Sequence, residues 1–148
     1  MAARHHEGPL PPIVVVVGRD RPHEIAFSVW ALILGVMFTA GAPRPGSLSG
    51  LVTGPAFYVF AVGLGLGGLV TLSGSLWMRG LERALEVERA GLVILTGALL
   101  VYAAAVTVTF RWQALIAGGL VGAWVWANIR RSVIITRDLR AVRRKARP

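Results

Sequence analysis

Charge is absent over four long stretches of the chain and concentrated between them. Ile25 to Ala42, Pro55 to Trp77, Gly91 to Phe110 and Trp112 to Ile129 hold no Asp, Glu, Lys, Arg or His. Each is close to the roughly 20 helical residues that cross a bilayer core of about 30 Å. Apolar side chains are spread around each predicted helix and do not form one stripe, as lipid on most sides requires. The pattern predicts an all-α integral membrane protein with four transmembrane helices at about 25–42, 55–77, 91–110 and 112–129, forming a transmembrane domain over 24–129. Pro55 suits a first helical turn, where its missing N–H has no partner to lose. The preceding segment 42–54, with Pro43, Pro45, Gly46 and Gly50, reads as an irregular loop. Arg111 alone separates the last two spans, which predicts a tight helical hairpin.

The distribution of arginine sets the orientation. Of the 16 Lys and Arg residues, only Arg44 and Arg111 fall in the two loops opposite the termini. The positive-inside rule therefore predicts both termini on the cytoplasmic side of the inner membrane. Ala40-Gly41-Ala42 matches an A-x-A cleavage pattern, but Pro43 follows it directly and the region before the apolar run is long and proline-rich. The first stretch is accordingly read as a retained span.

Composition agrees with this placement: 55% of residues are hydrophobic and 16% charged, against about 25% charged in soluble domains. The net charge of +9 follows the membrane surface and brings no base-reading motif or aromatic platform, so nucleic acid is not the expected partner. With no cysteine, the chain has no disulfide, thiolate metal site or cysteine nucleophile. Spans free of ionisable groups also lack the intramembrane carboxylate that a proton-coupled exporter needs. Gly63, Gly65, Gly67 and Gly68 lie mid-span, where a phosphate-binding loop has no place. No catalytic residue, cofactor or metal ligand is predicted. The residues that a lipid-headgroup enzyme would have to use are His23, Glu24, Glu82, Glu86 and Glu88.

Small residues predict where helices meet. Gly63 and Gly67 form a G-x-x-x-G pair, and Ala114, Gly118 and Gly122 recur every four residues, with Gly119, Ala123 and Ala127 on the adjacent stripe. Such residues serve packing within one chain and self-association equally. In the second loop, Arg79 with Glu82 and Glu86 with Arg89 stand three residues apart and predict a short cytoplasmic helix.

The tail over 130–148 predicts a basic amphipathic C-terminal helix at the headgroup boundary, with Ile135, Leu139 and Val142 on one face. Arg130, Arg131, Arg137, Arg140, Arg143, Arg144, Lys145 and Arg147 are its expected contacts to anionic lipid. The N-terminal arm over 1–23, with Pro9, Pro11, Pro12 and four consecutive valines, opposes helix and favours extended chain.

Arg21-Pro22-His23-Glu24-Ile25, Leu81-Glu82-Arg83-Ala84 and Glu88-Arg89-Ala90-Gly91-Leu92 resemble segments of small four-helix membrane proteins of actinobacterial phages and prophages. That group includes holins and other membrane accessories. The resemblance implies a lysis-associated role exercised by helix association in the bilayer, with no active site. The partners expected are the bilayer, anionic headgroups, and a second copy or another membrane protein. The other function these features fit is a non-catalytic anchor or scaffold subunit of a larger complex.

Overall fold

The computed structural model describes residues 22–49, 52, 54–77, 80–111 and 114–145. They form helices α1 (Pro22–Thr39), α2 (Gly46–Ser49), α3 (Pro55–Leu76), α4 (Leu81–Phe110) and α5 (Ala114–Lys145). Three of these, α1, α3 and α4, are long and apolar enough to cross a membrane. The N-terminal arm up to residue 21, and Arg79, Trp112 and Arg147, lie outside the described residues.

Helix limits follow local chemistry. Pro22 and Pro55 open α1 and α3, each where a missing N–H costs nothing. α1 stops at Thr39, three residues short of the predicted limit. Gly41 there adopts φ +96°, and the Ala42 N–H donates to the Met37 carbonyl at 2.9 Å. This 6→1 bond across a left-handed glycine is a Schellman stop. The loop beyond it contains the single turn α2, whose Leu48 is fully buried and packs into the main core.

The larger differences are in α4 and α5. The predicted connector helix of the second loop and the third span form one helix of 30 residues, and the fourth span and the basic tail form one of 32. The tail is helical but is not a separate element, since it continues α5 without a break. Its apolar residues Ile135 and Leu139 are buried against Leu85 and Leu92 of α4. Two amphipathic segments cover one another's apolar strips, so neither helix has a reason to stop at its charges.

α1 runs antiparallel to α3, α3 to α4 and α4 to α5, as their paired contacts show. α3 carries a small-residue seam on each of two sides. On one, Gly68 lies against Ser28 and Leu32 of α1, and Gly65 against Gly35. On the other, Gly67 lies against Leu95, Thr71 against Gly91, and Gly74 against Ala84 and Glu88 of α4. Ala31, Phe57, Phe60, Leu64, Leu95 and Leu99 fill the core between these seams. Phe38, Phe57, Phe60 and Tyr102 continue it as ring contacts of 5.7–6.5 Å. Large apolar side chains also cover the outside, among them Trp30, Val59, Val93, Val108 and Leu120. On α1, α3 and α4 this apolar exterior suits helices that cross a membrane.

Candidate functional site

Three helices bring charge together at one end of the apolar belt. Glu24 lies in the first turn of α1, Glu88 two turns into α4, and Arg131 midway along α5. The Arg131 Nε and Nη2 both reach the same Glu88 oxygen at 2.7 Å, and Nε lies 3.6 Å from Glu24 Oε2. Arg131 and Glu88 are 9% and 7% exposed, so this pair is held out of water while Glu24 forms its outer edge. A charge at that depth persists only when its partner is in direct contact. One turn nearer the apolar end of α5, Asn128 is buried, and its Nδ2 has no hydrogen-bond partner among the described residues.

Further out, Arg143 donates from Nε to Glu82 at 2.7 Å and from Nη2 to Glu86. The hydrogen bond and charge of Glu82, then the charge of Glu86, raise the Arg143 pKa above its usual range, so this guanidinium is charged at every working pH. Glu82 and Glu86 are four residues apart on one face of α4, and both meet one arginine 57 or more residues away. The expected local pairing of Glu86 with Arg89 is replaced by this bond between helices. All three loop carboxylates, Glu82, Glu86 and Glu88, thus face guanidinium groups of α5. Among the described residues no three of His, Cys, Asp and Glu converge as a metal site.

The predicted headgroup contacts separate into distinct roles. Arg131 is buried and paired with Glu88. Arg143 is engaged with two carboxylates, whereas Arg130, Arg137, Arg140 and Arg144 are exposed. The burial of Glu88 and Arg131 escaped sequence reading because each sits just outside a span, 43 residues apart. The available signal was their position at matching ends of two antiparallel spans.

The small-residue positions also separate. A Cβ at Gly67 would come within 2.9 Å of the Leu95 backbone nitrogen, so α3 and α4 require glycine there, while Gly63 has only an ordinary contact with Ala98. On α5 a Cβ at Gly118 would meet only the Thr107 hydroxyl at 3.9 Å, and at Gly119 and Gly122 it would meet nothing within 4 Å. Ile116, Leu120 and Trp126 flank that open side and are 81%, 71% and 64% exposed. The N-terminal half of α5 thus presents a broad small-residue face that no described residue covers.

No family model matches the chain, and neither a curated protein nor a solved structure does. None of these comparisons links the chain to phage or prophage membrane proteins.

Proposed function

We propose that this chain is a four-span protein of the cytoplasmic membrane, with both termini inside, that acts without catalysis through lateral association of its helices, in the manner of a phage-type holin or lysis accessory. The observation that carries this reading is the open face of α5. Glycines in the α1–α3 and α3–α4 seams lie against a neighbouring backbone, whereas a Cβ at Gly119 or Gly122 would meet nothing within 4 Å among the described residues. In lipid, where apolar burial gives helices no reason to meet, small residues that let backbones approach are what drive association. The fourth crossing is supported by the antiparallel run of α5 along α4. Its apolar residues 114–129 cover about 24 Å at 1.5 Å per residue, a span that slight bilayer thinning accommodates. The arginine distribution supports the orientation.

An anchor or scaffold role is favoured by a different observation. Beyond Arg131, α5 continues to Lys145 and is fastened to α4 by Leu85, Leu92, Ile135, Leu139 and the Arg143 bonds. This makes a stiff hairpin arm projecting from the membrane, a natural attachment point for a cytoplasmic protein.

Induced expression in a bacterial host, with membrane potential followed by a dye, separates the two. The wild type is expected to depolarise the membrane abruptly after a lag, and the Gly119→Leu/Gly122→Leu double variant to insert without doing so. Stable insertion of the wild type with potential maintained would overturn the holin-type reading and leave the anchor.

A further inference from the structure

Along the outer side of the α4–α5 pair, two cavities of about 250 and 710 Å³ share Arg89, Val93 and Thr136 and so run together as one groove. The larger is within the roughly 300–1,000 Å³ usual for small-molecule sites. Its chemistry is graded along α5. Arg140 lies at the outer end, Thr136 one turn inward, then Val133 and Ile129 level with the apolar belt. α4 repeats the order, with Arg89 one turn outside Val93. Cation, hydroxyl and aliphatic surface thus succeed one another in the direction in which a phospholipid passes from phosphate through its ester region to its acyl chains.

The charge in the groove is available. Arg143 and Glu86 both line it, but they are bonded to each other and form its outer wall. Arg89 and Arg140 make no ion pair with any described residue, so the groove keeps two guanidinium groups without a carboxylate partner there. Guanidinium matches phosphate oxygens in planar, two-point geometry.

We propose that this groove binds one anionic phospholipid, a phosphatidylglycerol-type lipid without a headgroup amine, with its phosphate between Arg89 and Arg140 and its first acyl carbons against Val93, Ile129 and Val133. An amine-bearing headgroup would bring its own cation to two arginines, so the site discriminates by headgroup charge. The inference rests on the membrane placement of the helices proposed above and is independent of their association.

The test is native mass spectrometry of the full chain in detergent, titrated with phosphatidylglycerol or phosphatidylcholine. The wild type is expected to retain one phosphatidylglycerol with about a thirtyfold preference, the order that two interfacial cations supply. Arg89→Gln/Arg140→Gln abolishes the preference, while Arg83→Gln/Arg111→Gln, with the same loss of charge at exposed arginines outside the groove, keeps it. Val133→Trp fills the apolar end at unchanged charge and also loses the bound lipid. Equal losses in both arginine double variants would assign binding to diffuse charge and overturn the site, as would an unchanged preference in Arg89→Gln/Arg140→Gln. Displacement of the lipid by inorganic phosphate alone would assign the groove to a free anion, also overturning the proposal. Because the assay reads the detergent-solubilised protein, it gives the same answer whether or not the chain depolarises a membrane.

Discussion

Arg131→Met is expected to cost about 3–5 kcal/mol of folding stability, because it strands the Glu88 carboxylate at a depth where water does not replace the lost guanidinium. The two Arg131 nitrogens at 2.7 Å from Glu88 are the contact between α4 and α5 that is both charged and buried, and Glu24 ties α1 to the same point. Removing one charge is therefore worse than removing both. Glu88→Leu/Arg131→Met is expected to regain most of the loss, since apolar side chains of similar volume need no partner. Thermal unfolding of the wild type and these two variants in one detergent checks this. A double variant as unstable as the single one would mean that the pair stabilises through its shape alone and would contradict the ion-pair account.

The second large effect is expected at Gly74. A Cβ there would lie 2.8 Å from the Ala84 carbonyl oxygen and 2.8 Å from Glu88 Cα, and nearer still to the Glu88 nitrogen. These are backbone atoms of a neighbouring helix, so they cannot rotate aside, and Gly74→Ala must push α3 and α4 apart beside the buried ion pair. Overpacking of this kind costs about 1–3 kcal/mol. Gly97→Ala is the matched control: it too adds one methyl group in a long helix, but into open space. Replacing a mid-helix glycine in that setting gains up to about 1 kcal/mol. Melting curves should therefore move in opposite directions for the two exchanges. Equal shifts would refute the close approach at Gly74.

Where the chain announces its own limits, the fold was legible in the sequence. Pro55 marks the start of α3, whereas the apolar run continues past the left-handed Gly41 that ends α1 and does not reveal that stop. Charge was the misleading signal for α4 and α5. Arg79 to Arg89 and Arg130 to Lys145 read as surface segments because each is amphipathic by itself. Only the antiparallel pairing of Leu85 and Leu92 with Ile135 and Leu139 shows that they share one buried strip. That pairing is a tertiary fact, set by the tight turn at Arg111, and no periodicity within either segment contains it.

The candidate site divides in the same way. Gly67 could be named from its G-x-x-x-G spacing, because a close approach needs small residues at that interval. The different fates of Gly118, beside Thr107, and Gly119, beside nothing, could not be read from spacing, since adjacent helical positions differ by 100° and the direction of α4 was unknown. Arg131 could not be told from its neighbour Arg130 for the same reason, although one is buried and the other exposed.

Association through the open face of α5 is tested most directly by oxidative cross-linking in the membrane. The chain has no cysteine, so each introduced thiol reports on one position alone. Gly119→Cys places a thiol on the small-residue face, where helices that meet bring Cα atoms within the roughly 7 Å a disulfide can span. Val59→Cys, on α3 and 73% exposed, places one on apolar surface away from that face. The account predicts a disulfide-linked dimer of the Gly119→Cys protein well above the yield for Val59→Cys. Equal yields at the two positions, or monomer alone at both, would contradict it.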